Sequence, residues 1–222
     1  MPVEEVPVIA IDGPTASGKG TVSEGVARAL GFHVLDSGAL YRIVGALAIE
    51  RAVDPGDGAA LATIAASIDP EFREGRVMVA GRDLAARIRA EDAGAAASRV
   101  AAQPLVRTAL FELQRRQRRP PGLVADGRDM GTVVFPEARL KVFLVADVAV
   151  RAQRRYKQLI DKGYPAIFSD LLSALRERDE RDAMRSVAPL VPAKDARILD
   201  SSRLGPEEVV EQVLSWYRSG AR

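Results

Sequence analysis

The sequence contains a glycine-rich loop whose residue types and spacing suit the binding of phosphate groups. Gly13 is followed, after four residues, by Gly18 and Lys19, as in the pattern G-x-x-x-x-G-K-[ST]. Gly20 stands where that pattern has a hydroxyl residue, and the hydroxyl of Thr21 comes one place late. Small residues let successive backbone N–H groups surround a phosphate at the positive end of a helix dipole. The loop predicts phosphate chemistry; the alternative is a glycine-rich turn in a plain strand–helix unit.

A metal ion that takes part here has to be a hard cation held by oxygen atoms. The chain has no cysteine, which excludes disulfides and cysteine-based metal sites, and it has a single histidine, His33. Thr21 or Ser17 could offer a hydroxyl to Mg²⁺ or to phosphate. Asp126 follows an apolar run and could support Mg²⁺ through a water molecule, or it could only cap the turn into Gly127.

The glycine-rich loop lies in the strand–helix context that such loops require. The apolar run from Val6 to Ile11 predicts a buried parallel strand before it. After the loop, Val22, Val26 and Leu30 recur every four residues and Gly31 ends the pattern, which predicts a helix.

Further along the chain, apolar runs that predict buried strands alternate with stretches of helical periodicity. Strands are predicted at 33–35, 123–125, 140–145 and 197–199, and helices at about 40–51, 148–162, 167–186 and 206–218. This alternation is typical of a parallel sheet covered by helices on both faces. We therefore predict an α/β fold.

One region departs from this alternation. Residues 54–98 are rich in glycine and alanine, and turn signals at 74–75 and 81–82 flank the apolar run 77–79, which predicts short antiparallel strands between helices. Pro104 then begins a helix that we expect to end near Pro120. The predicted organisation is a core formed by residues 1–53 and 99–222, with an insert at 54–98.

Composition and charge narrow the class of protein. The 222 residues are 47% hydrophobic and 28% charged, which is typical of a soluble globular protein. No apolar stretch approaches the roughly 20 residues of a membrane span, and the N-terminal sequence lacks the features of a signal peptide. We expect a cytoplasmic protein without a membrane partner, and nothing in the sequence demands more than a monomer.

The basic residues favour a small anionic ligand over nucleic acid. Lys+Arg 32 nearly balances Asp+Glu 30, whereas general nucleic-acid binders are more one-sided. The run Arg115–Arg119 closes a predicted helix and has no interleaved aromatic residues. Most of the positive charge is arginine, whose planar fork grips phosphate. The alternative source of this arginine excess is a GC-rich genome.

Four segments together resemble a known family. They are GPTASGKGT at 13–21, LDSGALYR at 35–42, ADGRDMGTVVFP at 125–136 and RERDERDAMRSVAPL at 176–190. These segments resemble the corresponding segments of bacterial cytidylate kinases, which are nucleoside monophosphate kinases with a P-loop. The similarity runs in register over nearly the whole chain. In that family GK-G-T is the usual form of the loop, so Gly20 becomes a family mark.

The resemblance implies a three-layer P-loop fold with a central parallel sheet and a small inserted NMP-binding domain. It implies phosphorylation of CMP and dCMP to CDP and dCDP by ATP, with Mg²⁺ and without nucleic acid. The segment 151–166 corresponds to a mobile lid that carries Arg151, Arg154, Arg155 and Lys157. The implied ATP-binding residues are Gly13, Pro14, Thr15, Ala16, Ser17, Gly18, Lys19, Gly20 and Thr21, and the implied catalytic residues are Lys19, Arg128, Arg154 and Arg185.

The resemblance also implies an acceptor site. Its residues are Arg42, Arg128 and Arg185 for the phosphate, Arg178 and Asp182 for the pentose, Asp129 with Ser98 and Arg107 for the base, and Ser37 as a further CMP-binding residue. Cytosine presents an amino donor at N4 where uracil has an oxygen, so a carboxylate there favours CMP over UMP. The alternative for the helix that carries Arg178 and Asp182 is a ladder of surface ion pairs.

Two other functions stay open from the sequence alone. One is a P-loop kinase for another small acceptor, such as UMP or shikimate. The other is a nucleotide-binding module without turnover. His33 does not bear on this choice: the attacking oxygen of a monophosphate is already ionised, so no histidine base is needed, and we interpret His33 as structural.

Overall fold

The structure, a computed structural model, describes residues 6–73, 76–161, 163–185 and 187–220. It divides into two compact units, formed by residues 1–35 with 118–222 and by residues 36–117. The strands are β1 (Val8–Asp12), β2 (His33–Asp36), β3 (Glu71–Arg73), β4 (Arg76–Val79), β5 (Arg82–Asp83), β6 (Leu123–Gly127), β7 (Leu140–Val145) and β8 (Arg197–Asp200). The α-helices are α1 (Lys19–Leu30), α2 (Ser37–Glu50), α3 (Gly58–Ser67), α4 (Glu91–Val100), α5 (Pro104–Arg115), α6 (Val148–Asp161), α7 (Phe168–Met184) and α8 (Pro206–Arg218).

The first unit is built on a five-stranded sheet in the order β2-β6-β1-β7-β8. β1 pairs in parallel with β6 and β7, and β7 pairs in parallel with β8. All five residues of β1 are buried, because a central parallel strand is covered on both faces. The parallel α/β prediction is confirmed.

The core of the first unit explains the helical pattern seen in the sequence. Val22 and Val26 of α1 pack on Ile9 and Ile11 of β1, together with apolar residues of β6, β7 and α8. α1 ends at Leu30 because Gly31 adopts a left-handed conformation, with φ of 68°, and its N–H bonds to the carbonyl of Ala27.

The second unit contains the antiparallel sheet that the sequence predicted. β3 pairs with β4 and β4 pairs with β5, both antiparallel. The unit spans 36–117 and so includes α2 and α5 as well as the predicted insert at 54–98. The turn predicted at 74–75 lies outside the described residues.

Several predicted element ends were wrong by a few residues. α2 begins at Ser37 rather than near Leu40, because Asp36 accepts a hydrogen bond from the N–H of Ala39 at 3.0 Å and caps the helix early. α5 ends at Arg115 rather than near Pro120. α7 ends at Met184, and the predicted end of this helix at residue 186 lies outside the described residues.

Two basic features have structural partners within the first unit. Nε2 of His33 lies 2.9 Å from the carbonyl oxygen of Pro120, in agreement with a structural histidine. Arg118 is buried; it donates to the carbonyl of Val6 at 2.7 Å and to Glu137 at 2.7 Å. The arginine run at the end of α5 is therefore not a uniform surface patch. Within the described ranges, no helix combines the length and apolarity that crossing a bilayer requires.

Candidate active site

The glycine-rich loop runs from the end of β1 to the start of α1. Gly13 has φ of 152°, and a Cβ atom there would lie 2.1 Å from the carbonyl oxygen of Leu144 in β7. Only glycine fits this close approach. Gly18 occupies the N-cap of α1 and offers no side chain to its first N–H groups. The helix therefore presents backbone donors where a phosphate would bind.

Lys19 is buried at the start of α1. Its Nζ donates to the carbonyl oxygen of Pro14 at 2.8 Å, and the Ser17 hydroxyl donates to the same oxygen at 3.0 Å. Burial, together with the positive charge of Arg128, lowers the pKa of Lys19 to about 7, although the carboxylates of Asp126 and Asp12 oppose that shift. At neutral pH Lys19 is therefore only partly protonated, and a phosphate beside it would favour the charged form.

Two residues near the glycine-rich loop could supply oxygen ligands for a metal ion. Thr21 is exposed in the first turn of α1, whereas Asp126 is buried in β6. A Cβ atom at Gly20 would lie 3.7 Å from Oδ2 of Asp126, so this carboxylate faces the start of α1. Among the described residues, no group of three or more His, Asp or Glu side chains could hold a metal ion alone. A bound Mg²⁺ would need phosphate oxygens in addition, and the hard oxygen donors present fit that ion.

A cluster of arginines surrounds Asp182 of α7. Nε of Arg128, which follows β6, donates to Oδ2 of Asp182 at 3.0 Å. Nε of Arg185 lies 3.4 Å from the carbonyl oxygen of Asp182, and Arg185 directly follows the last residue of α7. Burial by itself raises the pKa of Asp182, but Arg128, Arg185 and Arg178 together hold it below its usual value. The structure thus brings four of the predicted acceptor residues together.

Asp129 directly follows Arg128, one member of this arginine cluster. It is 3% exposed and precedes a single π-helical turn, Met130–Val134. The backbone N–H groups of Met130 and Gly131 each donate to the carboxylate of Asp12 at 2.8 Å. Sequence reasoning missed Asp12, because only the pairing of β1 with β6 brings position 12 beside positions 130 and 131.

Two arginines of α6 hold the loop from its carbonyl side. Arg151 is buried; its guanidinium donates to the carbonyls of Ala146 at 3.0 Å and Thr15 at 3.2 Å, and it pairs with both oxygens of Asp179. Arg154 donates to the carbonyl of Ser17 at 3.2 Å and to the backbone and hydroxyl of Ser201. Arg151 therefore supports the glycine-rich loop. A lid function for residues 151–166 stays a prediction, and residue 162 lies outside the described residues.

The remaining predicted acceptor residues lie in the second unit. Ser37 is buried at the start of α2, and Arg42 of the same helix donates to the carbonyl of Ile88 at 3.0 Å. Arg107 of α5 donates to the carbonyl of Ala101 at 3.2 Å, and its guanidinium carbon lies 5.8 Å from the Tyr41 ring centroid. Ser98 of α4 is buried, and its hydroxyl has no hydrogen-bond partner within the described residues.

Comparison with known families shows the family of this chain. The sequence model of the cytidylate kinase family matches residues 9–219, which include the glycine-rich loop, the segment around Asp129 and α7. This chain belongs to the cytidylate kinase family. The family assignment predicted from the four segments is confirmed.

Individual relatives agree with the cytidylate kinase assignment. The cytidylate kinase of Bordetella bronchiseptica is 58% identical over 213 residues, covering 96% of each chain. That of Paraburkholderia phymatum is 55% identical over 218 residues, covering 98% of this chain and 96% of the relative.

A solved structure of another protein has a similar fold. Shikimate kinase from Acinetobacter baumannii, in complex with shikimate, superposes with a TM-score of 0.50 at 18% identity, covering 97% of this chain and 95% of that one. The likeness bears on the fold alone, and it agrees with the predicted P-loop kinase architecture.

Proposed function

We propose that this chain transfers the γ-phosphoryl group of ATP to CMP and dCMP, giving ADP with CDP or dCDP. Membership of the cytidylate kinase family supports this reaction. The structural observation that carries it is that β1 and β6 end side by side, with Asp12 opposite Gly127, so the loop that holds Lys19 and the arginine cluster that holds Arg128 begin at the same edge of the sheet. In agreement with this arrangement, the charge of Arg128 contributes to the lowered pKa of Lys19. Two groups that suit two different phosphates thus lie close enough to interact.

The chemistry needs placement and charge neutralisation more than proton transfer. An ionised oxygen of the CMP phosphate attacks the γ-phosphorus of ATP, and the bond from that phosphorus to the bridging oxygen of ADP breaks. Lys19, Arg128, Arg154 and Arg185 would stabilise the negative charge on the transferring group. No histidine base is required, which agrees with the bond between His33 and the carbonyl of Pro120.

Mg²⁺ bound with ATP would supply further neutralisation of the phosphates. Thr21 would offer it a hydroxyl, and Asp126 would act through water, since its carboxylate faces the start of α1. Both residues supply the hard oxygen atoms that Mg²⁺ prefers. The backbone N–H groups between Gly13 and Thr21 would hold the phosphate chain itself.

The acceptor would be held by its phosphate and its pentose. In the first unit, Arg128 and Arg185 would bind the CMP phosphate. In the second unit, Arg42 is the further phosphate-binding residue that the family resemblance implies, and Ser37 is a further CMP-binding residue. Arg178 and Asp182 would approach the pentose hydroxyls. We propose that the insert at 54–98 belongs to this acceptor side, that 151–166 closes over ATP and excludes water, and that the enzyme works as a monomer.

The base would be chosen by Asp129 of the first unit. Ser98 and Arg107 of the second unit are the further base-binding residues that the family resemblance implies. The Asp129 carboxylate accepts a hydrogen bond from the N4 amino group of cytosine and opposes the oxygen of uracil. Because Asp129 is 3% exposed, mispairing it would cost about 1.5 to 3 kcal/mol, which is tenfold to hundredfold in rate. The buried Ser98 hydroxyl is a further polar group that a ligand could satisfy.

An acceptor panel tests the proposal. ADP release from ATP is followed by a coupled assay with CMP, dCMP, UMP and shikimate in turn. Release with CMP and dCMP well above the others supports the proposed reaction. Release mainly with UMP or shikimate, or ATP binding without any release, would replace it.

A further inference from the structure

Asp12, the last residue of β1, links the glycine-rich loop to the segment that follows β6. Its two carboxylate oxygens accept the backbone N–H groups of Met130 and Gly131, each at 2.8 Å. Asp12 is 5% exposed, and Gly13, which begins the loop, follows it directly. Asp12 is therefore covalently part of the donor side and hydrogen-bonded to the segment that carries Asp129.

These two bonds replace a cap that Asp129 would ordinarily make. Asp129 holds the N-cap position of the turn Met130–Val134, where an aspartate normally folds back to accept the first N–H groups of its own helix. Its side chain makes no such capping bond. Asp12 supplies the cap from the neighbouring strand, so the Asp129 carboxylate is directed to other partners.

The contact between Asp12 and the turn is tightly enclosed. Asp12 stands opposite Gly127 in the pairing of β1 with β6. A Cβ atom at Gly131 would lie 3.2 Å from side-chain carbons of Lys141 and 3.4 Å from Oδ2 of Asp12, which is closer than most such contacts. Burial raises the pKa of Asp12 to about 6, while the N–H groups of Gly131 and Met130 oppose that rise. At neutral pH the cap is mostly ionised, and hydrogen bonds to a charged acceptor are the stronger kind.

We propose that Asp12 is a positioning residue for base selection: by capping the turn Met130–Val134 from β1, it holds the Asp129 carboxylate at the edge of the acceptor base. This inference rests on the proposed function of Asp129. This positioning role also explains why the buried strand β1, which is otherwise apolar, ends in an aspartate.

The first test is Asp12→Asn, which keeps the size of the side chain but turns an NH₂ group toward one backbone N–H. The ratio of kcat/KM for CMP to that for UMP should fall by about tenfold, because small displacements of a reading group have effects of this order. Most of the fall should appear in KM for CMP. The matched control is Glu208→Gln, since Glu208 also accepts a backbone N–H, from Gly205 at 2.7 Å, at the start of α8. An unchanged ratio in Asp12→Asn would overturn the proposal.

A double-mutant cycle separates positioning from general damage. If Asp12 acts through Asp129, adding Asp12→Asn to Asp129→Ala should change the CMP/UMP ratio by less than about twofold further. A full additional fall in that ratio would show that Asp12 acts on the base by another route and would overturn the proposal. If wild type itself shows no CMP preference, the proposed function fails; if Asp129→Ala abolishes the preference and Asp12→Asn does not, only the positioning of Asp129 by Asp12 fails.

Gly131→Ala tests the contact between Asp12 and the turn Met130–Val134 without changing Asp12 itself. Its Cβ would press on Oδ2 of Asp12 and on Lys141, so the CMP/UMP ratio should fall in the same direction. This variant decides the matter if circular dichroism shows that Asp12→Asn does not fold. A folded Gly131→Ala with the wild-type ratio would then overturn the proposal.

Discussion

The guanidinium of Arg151 in α6 pairs with both carboxylate oxygens of Asp179 in α7. The same guanidinium donates to the carbonyl of Thr15 in the glycine-rich loop, at 3.2 Å. A single buried arginine thus ties two helices to the loop that we propose for ATP. α7 also carries Arg178 and Asp182, so the loop and the arginine cluster share one support.

Loss of the ion pair between Arg151 and Asp179 should destabilise the protein much more than loss of an exposed ion pair. Arg151→Met leaves Asp179 without its guanidinium and the Thr15 carbonyl without one donor, which should lower the free energy of unfolding by about 2–4 kcal/mol. The control is Arg181→Met, which removes an exposed pair with Glu177 on the same helix, at 3.8 Å, and should cost under about 1 kcal/mol. Urea unfolding measures both, and equal midpoints would contradict a supporting role for Arg151.

ATP binding should take up a proton through Lys19. The pKa of Lys19 is lowered from 10.5 to about 7, so at pH 8 most of these side chains are neutral. The negative phosphates raise that pKa on binding, which charges the lysine; affinity for ATP should therefore weaken as pH rises from 7 to 9. Calorimetry at pH 8 in buffers of different ionisation enthalpy should show uptake of roughly one-half to one proton.

Lys19→Arg is the control for this proton uptake, because arginine stays charged throughout that pH range. The uptake should disappear in this variant even if its affinity for ATP is lower. Equal proton uptake by the wild type and Lys19→Arg would assign the proton to another group.

Ser98→Ala should separate stability from acceptor binding. The buried Ser98 hydroxyl has no partner within the described residues, so removing it should leave Tm unchanged or slightly higher. If the hydroxyl bonds CMP, KM for CMP should rise by about threefold to tenfold. Ser67→Ala is the comparison, because the Ser67 hydroxyl already donates to the carbonyl of Ile64 at 2.8 Å. A lower Tm with an unchanged KM would contradict an acceptor role for Ser98.

Local sequence patterns predicted the fold well where a single segment carried the information. Val22, Val26 and Gly31 marked α1 and its end, and the apolar run of β1 marked a strand covered on both faces. Element ends were less predictable. The start of α2 depends on the Asp36 side chain folding back to cap it, which competes with the apolar pattern that begins near Leu40.

The sequence pointed to candidate site residues but not to the contacts that support them. Spacing and family resemblance pointed to Lys19, Arg128 and Asp129, since those residues stand in contiguous motifs. Asp12 and Arg151 support the same site through contacts between segments far apart in the chain. Such contacts depend on strand order and helix packing, and no local rule in the sequence encodes them.

We propose that Asp129 makes this P-loop kinase select cytosine, and the ratio of kcat/KM for CMP to that for UMP measures this selection. The coupled ADP-release assay gives kcat/KM for CMP and UMP in the wild type and in Asp129→Ala. We expect the wild type to favour CMP by about tenfold to hundredfold and the variant to lose most of this preference. A variant that keeps the full wild-type CMP/UMP ratio would contradict this proposal.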